Sequence, residues 1–122
     1  MRRASVIAAA SLVLIATIAS ASSEPAISPA ERAKIEQLIT VVENLSGAHF
    51  IRNGKAYDSS TAAKFLRLKW KDREASVHNA GDFIDKIATR SSMSGRPYLI
   101  RFDDGRELST AAFFRAELAK LK

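Results

Sequence analysis

Cysteine is missing from all 122 residues. Its absence removes disulfides, thiolate metal sites and cysteine nucleophiles together, and leaves packing alone to hold the fold. Histidine is nearly as scarce. The two present, His49 and His78, fall in different segments, and neither has a second His, Asp or Glu at a spacing diagnostic of zinc, so neither a metal site nor a cofactor is expected. Serine hydrolases leave marks that are also missing. There is no G-x-S-x-G elbow, and Thr61-Ala62-Ala63-Lys64 resembles S-x-x-K only loosely, without its companion motifs. Gly95 stands alone with a strand-like run after it, which excludes a glycine-rich phosphate loop. Asp103-Asp104 reads as turn chemistry, and Asp82 and Asp85 as helix-start charges, so no catalytic carboxylate pair stands out. Repeats and low-complexity tracts are absent.

What the chain does have begins at its N-terminus. Arg2 and Arg3 precede an apolar run from Val6 to Ala19, broken only by Ser11 and Thr17, and Ala19-Ser20-Ala21 supplies the small residues of a cleavage site. This order reads as a Sec-type signal peptide over residues 1–21, too short for a comfortable membrane span. Cleavage after Ala21 is expected to place the product in the periplasm or outside the cell. Residues 22–122 remain, one domain's length, with no transmembrane segment expected. Of 19 basic residues, Arg2 and Arg3 leave with the leader, so 17 face 13 acidic ones. Such a mild excess fits weak attraction to an anionic envelope ligand or an envelope protein, and falls short of the basic stripe of a nucleic-acid binder.

Residues 22–27 read as a mobile lead, and residues 28–122 as a single α+β domain. Ser28, Pro29 and Glu31 form a capping box on a pre-set first turn, and Ile35, Leu38, Ile39, Val42 and Leu45 draw one apolar stripe until Gly47 ends the helix. His49 to Arg52, Asn53-Gly54 and Lys55 to Tyr57 read as a tight hairpin. A second helix is expected from about Ser60 to Arg73, with Lys69 and Arg73 out of place in the middle of its apolar arc. Snorkelling of both charges is the expectation, against partial burial of one beside a carboxylate or ligand. Glu74 to His78 is a linker that Val77 can anchor. Asn79 caps a third helix with Phe83, Ile84, Ile87 and Ala88 inward. An exit strand turns Tyr98, Ile100 and Phe102 to the core, and Leu108 and Phe113 staple a last helix capped by Ser109. Four helices, a short hairpin and one further strand thus predict a small antiparallel sheet in an α+β fold.

The block from Thr89 to Arg101 concentrates the candidate chemistry. Ser91, Ser92, Ser94, Gly95 and Pro97 build a stiff corner whose hydroxyls and free amides suit an anion, with Arg90 and Arg96 adding charge; a purely structural turn is the competing reading. Arg52, Lys69 and Arg101 belong to elements expected to meet near it, and Asn53, Tyr57, Arg67 and Tyr98 complete the candidate binding set, with no catalytic residue assigned. These residue types suit recognition more than bond-breaking. A small hydrolase using Ser92 or Ser94 with Lys69 as base is the alternative, and it requires a depressed lysine pKa.

Several motifs in order resemble a known family: F-I-R-N-G from Phe50 to Gly54, the following Tyr57, A-A-x-x-L-R-x-K from Ala62 to Lys69, D-F-I from Asp82 to Ile84, and I-A-x-R-S-S-x-S-G-x-P-Y-L-I-R from Ile87 to Arg101. Together they are similar to the YfeK-like family of small exported bacterial proteins, a domain of unknown function. The resemblance covers nearly all of the chain after the leader and implies no activity. It does imply that relatives often carry one cysteine shortly before the F-I-R-N-G run and another after the exit strand. Ala48 and Phe102 lie in those regions here, so no such bridge is essential to the fold.

Overall fold

The computed structural model describes residues 27–121; the expected signal peptide and residues 22–26 of the expected lead lie outside the described residues. Ile27, the last residue assigned to that lead, is buried in the core rather than free. The first helix, α1 (Pro29–Glu43), starts as expected, with Ser28 Oγ accepting from the Glu31 amide at 3.2 Å. Glu31 departs from the capping-box pattern. Its carboxylate pairs with Lys34 at 2.8 Å and accepts from the Ala80 amide at 2.9 Å, and these two contacts hold its carboxyl below the usual range. One side chain thus caps the start of a helix 49 residues away.

Strands β1 (Ala48–Arg52) and β2 (Lys55–Tyr57) form the hairpin, with Asn53 at φ 52° and Gly54 at φ 80° in the turn between them. Two successive left-handed residues match a type I′ turn, which is why Asn-Gly signals it. Helix α2 (Ser59–Asp72) follows, capped by Asp58, whose carboxylate accepts from the Thr61 amide at 2.8 Å. A single 3-10 turn (Glu74–Ser76) and the buried Val77 lead to α3 (Ala80–Lys86), capped by Asn79. Then come β3 (Leu99–Phe102), β4 (Glu107–Ser109) and α4 (Thr110–Lys120).

The sheet has four antiparallel strands in the order β2-β1-β3-β4, one more than the sequence pattern predicts. Glu107–Ser109 is too short to show alternation, and its pairing comes from the Asp103–Gly105 turn folding it back on β3, where Leu99 meets Ser109 and Arg101 meets Glu107. The same strand corrects the staple, because Leu108 remains exposed instead of closing over the helix start. Register places Phe50 opposite Ile100 on the buried face and His49 opposite Arg101 on the exposed one. Helix α2 covers β1, α4 covers β3 and β4, and α1 packs on α2, α3 and α4. Ala48 and Phe102 stand opposite each other on β1 and β3. Among the described residues no helix is long and apolar enough to cross a membrane.

Candidate functional site

Strand periodicity decides which hairpin residue reaches the interior. Ala48, Phe50 and Arg52 share the covered face of β1, so Arg52 carries the inward row past the end of the core. There its guanidinium lies over the Phe65 ring, 4.2 Å from the centroid. Helix periodicity stacks Phe65 and Lys69 at successive turns of one α2 face, with Arg73 following at the C-cap and Leu68 and Asp72 beside them. Tyr98 enters from the approach to β3 in the same inward register as Ile100 and is fully buried. Its ring meets Phe50 at 5.1 Å and Phe65 edge-on at 5.6 Å, and the three aromatics make a floor.

Lys69 stands on that floor. The residue is only 8% exposed, and its ammonium donates to the Arg90 carbonyl at 2.7 Å and to the Tyr98 hydroxyl at 2.9 Å. Snorkelling is thereby corrected: no carboxylate holds this lysine either, and its two recorded acceptors are uncharged. Burial, then the nearby charges of Arg73 and Arg52, bring its pKa down to about 8. Burial likewise pushes the Tyr98 phenol up, with Arg52 and Arg73 pulling in the opposite direction. Arg52, Lys69 and Arg73 form no ion pair among the described residues, in contrast to Arg67 on the same helix. Their heads border a hollow of about 550 Å³ that Leu68, Asp72 and Ser92 also line.

The serine corner supplies a wall, and most of its amides are already bonded within it. Ser91 is buried, and its Oγ accepts from the amides of Met93 and Ser94 and from Asn53 Nδ2, at 3.3 to 3.4 Å. Its own amide donates to the Arg96 carbonyl and its carbonyl accepts from Gly95, both at 2.9 Å. Ser94 Oγ donates to Asn53 Oδ1 and accepts from the Arg96 amide. Donors expected to face an anion therefore close the loop on itself and dock it to the hairpin tip. Gly95 has φ 72°, the left-handed conformation its residue type allows.

The other candidate residues separate accordingly. Arg90 contributes its carbonyl, while its side chain and that of Arg96 are exposed outside the hollow. Tyr57 lines a smaller, apolar hollow of about 220 Å³ on the hairpin side of Phe65. Arg67 faces α1, paired with Glu36 and Glu43 at 3.6 and 3.4 Å, and Arg101 lies on the exposed sheet face, paired with Glu107 at 2.7 Å. Neither joins the cleft. Arg73 does, and the sequence marks it by the same misplacement in an apolar arc that marks Lys69. Phe65, Leu68, Asp72 and Met93 carry no such mark.

Over residues 29–122 the chain matches a family model described as a family of unknown function (DUF5329). The chain belongs to this family. Every residue lining the cleft falls inside the DUF5329 match. The uncharacterized protein YfeK of Salmonella typhimurium (strain LT2) is 35% identical over 68 residues, which are 56% of this chain and 57% of that relative. The chain thus spans little more than half the length of this curated relative. No solved structure matches it.

Proposed function

We propose that this DUF5329 domain is a non-enzymatic binding module of the bacterial cell envelope, exported by cleavage after Ala21, and that it holds an anionic ligand in the cleft between the hairpin tip, α2 and the serine corner. One observation carries the reading. Three cations, Arg52, Lys69 and Arg73, converge on an open hollow of about 550 Å³ without a carboxylate bridged to any of them among the described residues. Elsewhere on the same helix a cation is matched by two glutamates, so the excess is local. A hollow of this size, lined by charged and hydroxyl side chains over an aromatic floor, has room for a small charged ligand. The signal-peptide pattern supports export, and its test is N-terminal sequencing of protein recovered from the periplasm.

Thermal shifts test the cleft. Anionic envelope fragments are screened with the wild-type protein and with Arg73→Gln, which alters an exposed side chain. A ligand at about a hundred times its Kd adds roughly 2.7 kcal/mol, readily seen in a domain of this length. Loss of the shift in the variant sustains the site; an equal shift in both proteins overturns it.

Lys69 also gives the hydrolase alternative one supporting fact, since a pKa of about 8 is within reach of a general base. Its ammonium faces a carbonyl and a phenol rather than a serine hydroxyl. Labelling of Ser92 or Ser94 by a serine-reactive phosphonate would favour that alternative over binding alone.

A further inference from the structure

We propose that the ligand is a monocarboxylate bearing an apolar tail, its carboxylate among Arg52, Lys69 and Arg73 and its tail laid across Phe65 into the smaller hollow beside the hairpin. This assignment rests on the binding reading above and specifies the chemical class. The two hollows, of about 550 and 220 Å³, share Arg52, Phe65 and Leu68 along their common border. They differ in character. Cations and hydroxyls border the first, whereas Phe50, Tyr57, Ala62, Phe65 and Leu68 form most of the second, with Lys64 and Thr61 beside them. A molecule filling both needs a charged end and an apolar end.

The charged end is fixed by donor geometry. Arg52 lies flat on Phe65, and its buried Nε has no partner among the described residues. Tyr98 takes part of that guanidinium's edge by a side-chain hydrogen bond, and the remainder suits a carboxylate, whose two oxygens match the fork. Lys69 has three ammonium protons, two of them directed to Arg90 and Tyr98. The third remains for a ligand oxygen. Asp72 lines the same hollow and carries negative charge, which favours a monoanion over a more highly charged head group.

The apolar end is fixed by exposed surface. Leu68 is 62% exposed and borders both hollows, and Met93, at 90%, stands at the mouth of the larger one. These are two of the three large apolar side chains left uncovered among the described residues. Both lie at this cleft. A tail passing Leu68 covers surface that the fold itself leaves wet.

Isothermal titration with acetate, butanoate, hexanoate and octanoate, all below their aggregation concentrations, tests the assignment on the wild-type protein. Affinity is expected to rise about threefold for each added methylene from butanoate onward. Arg73→Gln should weaken octanoate about tenfold, and Leu68→Ser, which adds no charge, should weaken octanoate more than acetate; both residues are exposed, and circular dichroism checks that the variants are folded. Octylamine should not bind. Equal affinity for acetate and octanoate, or binding of octylamine as strong as that of octanoate, overturns the proposal. So does binding confined to anionic phospholipid vesicles. Inorganic phosphate bound in an Arg73-dependent way with no octanoate bound overturns the tail assignment and sustains the binding reading. If neither binds and no screened anion shifts the melting curve, both fall.

Discussion

Arg67 and Lys69 are separated by one residue on α2, and the helix turns them about 200° apart. Arg67 meets two glutamates of α1 at a half-exposed surface. Lys69 meets a carbonyl and a phenol over three aromatic rings, with two arginines close by and no carboxylate bonded to it. Water screens the first pair and limits it to a small stabilisation. Desolvation governs the second, so its partners cannot be removed without leaving a buried charge under-satisfied. The difference separates a surface that ties two helices together from one built with charge in reserve.

The comparison breaks most visibly through the partners. Tyr98→Ala should destabilise the domain by about 4 kcal/mol, because it empties the aromatic floor and removes an acceptor of Lys69. Chemical denaturation measures this, and a loss below about 1 kcal/mol would show that Lys69 does not depend on the floor.

Titration sharpens the comparison next. Between about 8 and 10.5 the unfolded chain keeps a proton on Lys69 that the folded chain has released. Stability must then rise with pH across that window, by up to about 3 kcal/mol, with the burden of the buried charge fully present below it. Lys69→Met should abolish this rise and Arg67→Met should retain it. Denaturant melts at several pH values between 7.5 and 10.5 compare the slopes; indistinguishable slopes in wild type and Lys69→Met would place the lysine in water.

Ser91→Ala follows, at about 1 to 2 kcal/mol, since three donors lose one acceptor and only part of that loss can be repaired by solvent. Proteolysis at the corner should accelerate with it. Glu43→Gln closes the series at less than about 0.5 kcal/mol, an effect that moderate salt should erase. A larger, salt-resistant loss there would mean that the two sides of α2 are more alike than their partners indicate.

Where the chain's periodicity and caps agree, the fold was legible. Ser28, Asn53-Gly54, Asn79 and Ser109 mark real boundaries because each signal is local to a few residues. β4 was not, since three residues show no alternation and its partner is chosen by tertiary pairing. The site divides the same way. Lys69 and Arg73 betray themselves as charges in an apolar arc, and the serine corner as a turn. Which acceptors Lys69 finds depends on contacts 21 and 29 residues apart, and the docking of Ser91 to the hairpin tip on one 38 residues apart. Composition has no access to such distances.

The acceptor nearest to Lys69 belongs to the backbone of residue 90, with a consequence for how this protein can change over generations. Any of the twenty side chains at that position brings the same carbonyl, so a mutation there leaves the lysine's anchor in place. The anchor is inherited through the path of the chain instead, through Ser91, which gathers the corner, and Gly95, which lets it turn. As far as this anchor goes, the lysine's acceptor is lost by reshaping the loop rather than by replacing the residue that touches it.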